Sequence, residues 1–494
     1  RQIDWDRLYY ANTQAANQGH DALYFIQAKH SDNLMFNMAS TLSAKVTKRS
    51  TLVGGLVLGS NSNRHYQTMD DLLGASFFHN INTYALGTYP ADDPRVQYDL
   101  NTAGPNNLGS LVYEGDKFGY DYKIEVMKGL LWTSYTAEMG RFQTMISAKL
   151  GQTNMRRHGY MRNGMAANIS EGNSRIARFG EGGVKGSINF DAGKGHVFKI
   201  GVGYEWRPPM ANTAFISPEI CNDYVLNLGD EHVFSSEFCY QYQNAWVHAN
   251  VNAYYSRLDH VTEWQNFYND DENSFTYLSM TGLEKEYYGI EAGLDFKVAS
   301  FLNFKAIGTI SDAKNINNAN VNYMLSKSAE VVKDYAYIKD MRESGTPLTI
   351  GSLALDFHKS GWFVNLNANW YDRIYLSYSP SYRYKSSLKN RDMLFNDEPL
   401  PGSVDQAKGH GGWMVDGSIG KSIRLKHGSL NFNLMVTNIL NNRKIVSGGY
   451  EQSRSDYTLN KENEAKDRVY KFSKNPKKYY VFGTNGMFQV SYRF

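Results

Sequence analysis

The sequence predicts an all-β fold in which antiparallel strands form a transmembrane barrel. Three observations favour this fold class: apolar and polar residues alternate along many segments, aromatic residues close the apolar rows, and short connections alternate with long ones. Alternation with a period of two is typical of a strand with one apolar and one polar face. We expect about 15 strands after Asn33, and a further strand at 22–29 would make about 16.

The composition excludes several other classes of protein. The 494 residues carry 52 Lys and Arg against 49 Asp and Glu, so there is no basic excess for binding nucleic acid. A membrane-spanning helix needs about 20 consecutive apolar residues, and the chain has no such run. Hydrophobic residues make up 42% and aromatic residues 14%, which argues against disorder. The 36 Tyr and 8 Trp suit a surface at a membrane–water interface.

The predicted strands are about 9 to 12 residues long, which suits a tilted crossing of a bilayer better than a soluble sandwich. Aromatic residues at the row ends would form the girdles of a membrane barrel. In chain order, the clearest apolar rows are Phe198, Ile200, Val202, Tyr204 and Trp206; Val247, Ala249, Val251, Ala253 and Tyr255; Trp362, Val364, Leu366, Ala368 and Trp370; Leu430, Phe432, Leu434 and Val436; and Phe488, Val490, Tyr492 and Phe494.

The connections between strands are the third observation. In outer-membrane barrels the short turns face the periplasm and the long loops face outside, whereas a soluble sandwich has no reason to place every long loop at one end. The predicted short turns lie at 47–50, 138–141, 191–195, 242–244, 298–300, 359–361 and 425–428. The predicted long connections lie near 63–117, 151–173, 208–230, 259–284, 313–345, 373–408 and 441–478.

An odd number of strands is unexpected for a complete single-chain bacterial barrel, because these have even strand numbers. Residues 1–20 are polar and aromatic, and we expect them to belong to a loop. We therefore expect residues 1–494 to be one part of a larger outer-membrane barrel.

The sequence predicts neither a catalytic site, a bound cofactor nor a metal site, because the usual catalytic and metal-ligand motifs are missing. We therefore expect a protein that is not an enzyme. Cys221 and Cys239 provide no disulfide framework, and whether they pair stays open.

The 63–117 connection contains the candidate ligand-binding residues. Aromatic and charged groups in a long outer loop can bind an incoming ligand, although the aromatic residues could equally pack the loop on its neighbours. The candidates are Phe77, Phe78, His79, Tyr84, Tyr89, Asp92, Asp93, Arg95, Tyr98 and Asp99.

Several motifs resemble the TonB-dependent outer-membrane receptors, and most of all those of the Bacteroidota. The C-terminal stretch carries the most specific ones, and the resemblance extends over essentially the whole chain at low density. The motifs are VTNILNN at 436–442, SGGYEQ at 447–452 and SYRF at 491–494, with DDLLGA at 70–75, FISP at 215–218, MTGLEK at 280–285 and YGIE at 288–291.

The resemblance implies a barrel of about 22 strands closed by an N-terminal plug. It also implies import of a scarce ligand, powered by the inner-membrane TonB complex through an N-terminal TonB box. Phe488, Val490, Tyr492 and Phe494 would be read by the barrel-assembly machinery. Against this resemblance, we expect the plug, the TonB box and about six or seven further strands to lie before Arg1. The chain lacks a Gly-x-Asp-Pro-Glu-like loop, which weakens the expectation of a surface lipoprotein partner.

The sequence leaves two other functions open. The first is a complete, plugless passive porin of about 16 strands. The second is a surface adhesin whose barrel only anchors its binding loops. In each case the expected location is the outer membrane of a Gram-negative bacterium, and the nature of the ligand stays open.

Overall fold

The computed structural model describes residues 2–104, 108–269, 274–328, 330–451 and 476–494. In these ranges the helices are α1 (Trp5–Asn17) and α2 (Lys385–Lys389), with 3-10 turns at Pro94–Val96, Gly164–Ala166, Ala211–Thr213 and Pro380–Arg383. No helix in these ranges is both long enough and apolar enough to cross a membrane.

The strands account for most of the secondary structure. In chain order they are β1 (Ile26–Thr47), β2 (Ser50–Asp71), β3 (Phe78–His79), β4 (Leu111–Val112), β5 (Lys117–Met139), β6 (Phe142–Gly159), β7 (Gly172–Asn173), β8 (Ala177–Gly193), β9 (His196–Arg207), β10 (Glu231–Gln243), β11 (Val247–Asn269), β12 (Ser274–Ala299), β13 (Leu302–Asn315), β14 (Ala319–Leu325), β15 (Val331–Ala336), β16 (Thr349–Lys359), β17 (Trp362–Asp372), β18 (Leu394–Phe395), β19 (Glu398–Pro399), β20 (Gly412–Leu425), β21 (Gly428–Thr437), β22 (Val446–Glu451), β23 (Pro476–Tyr480) and β24 (Asn485–Arg493).

A single antiparallel sheet contains 18 of the strands in the described residues. Its long strands follow one another in chain order, each paired with the next, and β7, β14 and β15 extend the sheet at the ends of long strands. The fifteen long strands are β1, β2, β5, β6, β8 to β13, β16, β17, β20, β21 and β24. The predicted all-β class and the number of about 15 strands are therefore confirmed.

The apolar rows align across the sheet and form one continuous outer face. In the C-terminal strands Phe488 lies opposite Leu434, and Leu434 lies opposite Ile419. A second row crosses the middle of the sheet through Ile310, Ile290, Ala253, Phe238, Ile200 and Ile188. Because side chains alternate between faces, this register places the intervening polar residues on the opposite, inner face.

Aromatic residues border the apolar face. Trp362 and Trp370 lie eight residues apart on β17, a separation of about 27 Å along a strand. That distance is similar to the apolar band of membrane barrels, which is about 25 Å tall. Phe142, Phe190 and Phe198 stack side by side near the short turns, with ring centroids 4.7 and 6.5 Å apart.

The inner face carries charged side chains, and several of them pair across strands. Each of these pairs joins an inward-facing base to an inward-facing acid, which suits the polar interior of a membrane barrel. The pairs include Lys128–Glu181, Lys149–Glu205 and Lys199–Glu237, each at 2.7 Å.

All seven predicted short turns are confirmed at one end of the sheet. For example, β1 ends at Thr47 and β2 begins at Ser50, and β16 ends at Lys359 and β17 begins at Trp362. Six long connections join the other ends of the strands, at 72–116, 160–176, 208–230, 316–348, 373–411 and 438–484. The last includes 452–475, which lie outside the described residues, as does Gln452 of the SGGYEQ motif.

Three predictions about the length and position of strands are wrong. Several strands far exceed 12 residues: β1 and β2 have 22 each, β5 and β11 have 23 each and β12 has 26. As a result the predicted loop at 259–284 is mostly a hairpin, in which β11 continues to Asn269 and β12 begins at Ser274. Likewise, 22–29 is no separate strand, because β1 begins at Ile26.

Residues 1–20 also differ from the expected loop, since α1 forms there. The Asp4 carboxylate accepts a hydrogen bond from the Arg7 N–H and caps the first turn. The buried Asn12 amide donates to the Tyr24 and Leu72 carbonyls at 2.6 and 2.7 Å. These bonds fix α1 above the ends of β1 and β2.

The sheet has two edges in the described residues. β1 pairs with β2 alone, and β24 pairs with β21 alone. Both edge strands run from the long-connection end towards the short-turn end, because β1 leads into the first short turn and β24 follows the last long connection. The edge strands are therefore parallel in direction, whereas every neighbouring pair of long strands is antiparallel.

Candidate functional site

The 72–116 connection folds onto the inner face and joins distant parts of the sheet. The Gly119 N–H at the start of β5 donates to Asn80 Oδ1 at 2.9 Å, and Asn82 Nδ2 donates to the Ser326 carbonyl at 2.6 Å. Ser326 follows β14, which pairs with β12. The connection therefore spans from β5 to the β12 side of the sheet, and the sheet curves around it.

The base of this connection is a small apolar core. Ala22, Met69, Leu72, Phe78, Val112 and Phe118 are buried together there. The rings of Phe78 and Phe25 lie 4.9 Å apart. Beside them, His79 Nδ1 lies 2.6 Å from Asp21 Oδ1 and the His79 N–H donates to Asp21 Oδ2. These contacts fix the start of the connection to the segment between α1 and β1.

A cavity of about 400 Å³ lies between the connection and the inner face. Its volume is within the range of small-ligand sites, which enclose about 300–1,000 Å³. Aromatic rings and side-chain amides form most of the wall, together with a lysine and a glutamate. The lining includes Phe25, Gln27, Lys29, Gln67, Phe78, Asn82, Tyr84, Tyr98, Phe118, Gly119, Tyr120, Asn163, Glu219, Asn266, Phe275 and Tyr277.

Gly119 leaves room for the Gln67 side chain in the cavity wall. Gly119 has φ +75°, which L side chains rarely adopt, and an added Cβ would lie 2.0 Å from Gln67 Nε2. Only glycine therefore fits between Phe118 and Tyr120 without moving Gln67.

The Glu219 carboxylate lies near four tyrosine side chains. Its Oε2 accepts a hydrogen bond from the Tyr277 hydroxyl at 2.9 Å. Its negative charge also acts on the hydroxyl groups of Tyr98, Tyr120 and Tyr122. Burial, and then the nearby Glu219 charge, raise the pKa of Tyr98. The Tyr98 hydroxyl thus keeps its proton at neutral pH and can donate a hydrogen bond.

Lys29 provides positive charge at another part of the wall. It is on β1, and its Nζ lies 5.9 Å from the centroid of the Tyr120 ring. In the described part of the chain, the ion pairs involve neither Lys29 nor Glu219. The cavity therefore has one charge of each sign, and neither is neutralised by a side chain described there.

Three of the ten predicted binding residues line the cavity: Phe78, Tyr84 and Tyr98. Tyr84 contacts the opposite strands, because its ring lies 5.4 Å from that of Phe275. His79 lies next to Phe78 and bonds to Asp21, and Phe77 packs edge-on against the His79 ring at 5.4 Å.

The other predicted residues do not line the cavity, and most of them contact residues of the connection or of its neighbours. The Arg95 guanidinium lies 3.8 Å from the Tyr89 ring centroid and pairs with Asp93 at 2.6 Å, which lowers the pKa of Asp93 to about 2. Asp92 is exposed. Asp99 is buried and accepts hydrogen bonds from the Arg162 and Asn101 amides at 3.1 Å each, although burial raises its pKa. It thereby joins this connection to 160–176.

Sequence reasoning missed Lys29, Tyr120, Glu219 and Tyr277. They lie on β1, on β5, in the 208–230 connection and on β12, and only the curvature of the sheet brings them together. The FISP motif at 215–218 immediately precedes Glu219 and was the one feature of the sequence that marked this neighbourhood.

A buried arginine fixes the 208–230 connection. Arg157 on β6 donates to the Pro218 and Ser170 carbonyls at 2.7 Å and to Asn222 Oδ1 at 2.6 Å. These bonds hold the residues on both sides of Glu219. Cys221 is buried there, which raises the pKa of its thiol to about 11. Cys221 and Cys239 are both free cysteines, so the open question of their pairing is answered.

A buried ion pair lies outside the cavity. Arg383 and Glu451 are joined by two hydrogen bonds of 2.6 and 2.9 Å, and their side chains are 0% and 1% exposed. The Glu451 carboxylate also accepts from the Ser379 and Ala407 amides. The pair attaches the 373–411 connection to β22, and Glu451 belongs to the SGGYEQ motif.

The described residues contain no group of three or more His, Cys, Asp or Glu placed to hold a metal ion. The cavity wall offers aromatic contacts, side-chain amides, and the charges of Lys29 and Glu219.

Comparison with known proteins finds similarity in structure alone. No protein-family model matches the sequence, and no curated protein matches it. Solved structures match along nearly the whole chain. They include the copper transporter OprC, with 12% identity and a TM-score of 0.58 over 95% of this chain and 59% of that chain. The ferric citrate transporter FecA has 10% identity and a TM-score of 0.56, over 94% of this chain and 55% of that chain.

The iron transporter FrpB of Neisseria meningitidis has 10% identity and a TM-score of 0.55, over 94% of this chain and 56% of that chain. The chain shares the fold of these three transporters. It spans a little over half the length of these three structures. At these identities the similarity establishes the fold and says nothing of the ligand.

Proposed function

We propose that the chain is the barrel portion of a TonB-dependent outer-membrane receptor that imports a scarce ligand into the periplasm. The observation that carries the proposal is the fold shared with OprC, FecA and FrpB, which are transporters of copper, ferric citrate and iron. The cavity at the long-connection end supports it, since outer loops are where such a receptor meets its ligand. The proposal is for a transporter and not an enzyme.

The rest of the receptor, in this proposal, is a plug with a TonB box and further strands that close the barrel. The two unpaired sheet edges support this, because a membrane barrel leaves no open edge. The greater length of the matching structures supports it as well. Phe488, Val490, Tyr492 and Phe494 would direct barrel assembly, since they end the last strand and the Phe494 side chain is 99% exposed.

The partners of the receptor would be outer-membrane lipid and the inner-membrane TonB complex, in a Gram-negative bacterium of the Bacteroidota. A surface lipoprotein or another outer-membrane protein would be a further partner, bound at the long connections. In the import cycle, the connections around the cavity would capture the ligand and the charged inner face would provide a wet route past a displaced plug.

The test uses the natural protein purified from isolated outer membranes. We expect it to bind the purified periplasmic domain of TonB and to show no steady ion conductance in a planar bilayer. Steady conductance without TonB binding would contradict the proposal and indicate a passive porin. A protein that neither binds TonB nor conducts would also contradict it and would favour a surface adhesin.

A further inference from the structure

We propose that the cavity binds a small zwitterion, with an ammonium group at Glu219 and a carboxylate at Lys29. This inference rests on the proposed function, because it names the class of ligand that the receptor would capture. It follows from the chemistry of the cavity wall, taken one part at a time.

The Glu219 side of the cavity suits an ammonium group. A carboxylate surrounded by aromatic rings attracts a cation twice, through its own charge and through the faces of the rings. Tyr277 donates to Oε2 of Glu219, and the rings of Tyr98 and Tyr120 line the same cavity. The Tyr277 hydroxyl holds the carboxylate without neutralising it. A bound ammonium would supply the missing positive charge.

The Lys29 side suits a carboxylate. The Lys29 ammonium lies against the Tyr120 ring at 5.9 Å, and Gln27 and Gln67 line the wall near it. An ammonium binds a carboxylate strongly through charge-assisted hydrogen bonds, and side-chain amides can supply further donors.

Two charges of opposite sign on one cavity wall favour a zwitterion over a simple cation or anion. Lys29 and Glu219 are absent from the ion pairs of the described residues, and the Tyr120 ring lies near both. A ligand with a single charge could form a charge-assisted hydrogen bond with only one of them. A ligand with both charges satisfies both, and its apolar part can contact Phe78 and Phe118.

The experiment measures calorimetric binding of glycyl-phenylalanine to the natural full-length protein in detergent. We compare it with the N-acetyl form, which lacks the ammonium, and with the C-terminal amide, which lacks the carboxylate. Each capped form is expected to bind about tenfold more weakly, because each loses a charge-assisted hydrogen bond. Equal binding of free and capped forms, or no binding of the dipeptide, would overturn the inference.

Two variants assign the charges to residues. Glu219→Gln should weaken binding of the dipeptide about tenfold and leave the N-acetyl form unchanged. The glutamine oxygen can still accept from Tyr277, so the local structure is kept. Lys29→Met should do the same for the dipeptide and leave the amide form unchanged. Matched controls are Glu171→Gln and Lys389→Met, which lie outside the cavity and should change nothing.

Failure here differs from failure of the proposed function. A protein that binds TonB but does not distinguish the dipeptide from its capped forms remains a receptor, and only the zwitterion is excluded. A protein that prefers the free dipeptide but does not bind TonB keeps the site and loses the transport role.

Discussion

At the scale of single residues, the Arg383–Glu451 pair is the most completely enclosed charge interaction among the described ion pairs. A buried ion pair gains little stability over apolar packing, but losing one partner leaves the other charge without compensation. Here the pair joins the 373–411 connection to β22, so its loss should release that connection without unfolding the sheet.

We predict that Glu451→Gln lowers the free energy of local opening of the 373–411 connection by about 3–5 kcal/mol, because Arg383 keeps its buried charge. Amide hydrogen exchange of that segment measures the change. The control is Lys385→Ala, which breaks an exposed pair with Asp397 of 2.9 Å and should cost about 0–1 kcal/mol. Equal exchange in the two variants would show that the buried pair does not hold the connection.

Some of the predicted binding residues line the cavity and the others do not. A measurement of ligand binding to variants can distinguish the two groups. We predict that Tyr98→Ala weakens binding of glycyl-phenylalanine, because Tyr98 lines the cavity beside Glu219. Arg95→Ala should leave it unchanged, because Arg95 contacts Tyr89 and Asp93 away from the cavity. Calorimetric titration measures both, and loss of binding only in Arg95→Ala would place the site elsewhere.

The sequence could predict part of the site and not the rest. Aromatic residues in a long connection identified Phe78, Tyr84 and Tyr98. Lys29 and Glu219 are each ordinary residues in their own segments, and only the curvature of the sheet brings both to the wall of one cavity. Alternation along a strand specifies which face a residue is on, but not which strands meet across the interior.

At the scale of secondary-structure elements, the outer face of the C-terminal strands makes the clearest prediction. Leu434 lies between Phe488 and Ile419 on the apolar face, whereas Asn433 lies between Gln489 and Gly420 on the inner face. Substitutions at these two neighbouring residues therefore compare a lipid-facing position with an interior position at the same depth.

We predict that Leu434→Arg blocks assembly while Asn433→Arg is tolerated, since a lipid-facing Arg costs about 2–4 kcal/mol at the bilayer midplane. The measurement is the amount of heat-modifiable folded barrel in the outer-membrane fraction. If the two substitutions were tolerated equally, the assignment of the apolar face to lipid would be contradicted.

The success and failure of the strand predictions have one physical cause. Within the apolar band one face must be apolar, so alternation and turn residues identify every short turn. Beyond the apolar band, at the long-connection end, β11 and β12 still pair with each other and β12 also pairs with β14. No apolar row is required there, because this part of the strands does not face lipid. Residues 259–284 lack clear alternation for this reason, and their sequence alone predicts a loop.

At the scale of the whole molecule, the direction of the edge strands limits how the barrel can close. β1 and β24 run the same way, so an all-antiparallel barrel needs an odd number of further strands between them. Seven would give the roughly 22 strands of plugged transporters, and one would give a porin of about 16. The proposed receptor requires the larger number together with a plug.

The intact mass of the natural protein, extracted from isolated outer membranes, tests this account most directly. We predict a mass well above the 56.1 kDa of the present chain, sufficient for a plug, a TonB box and the strands that close the barrel. A mass equal to 56.1 kDa would contradict the account, because neither the plug nor the closing strands could then exist.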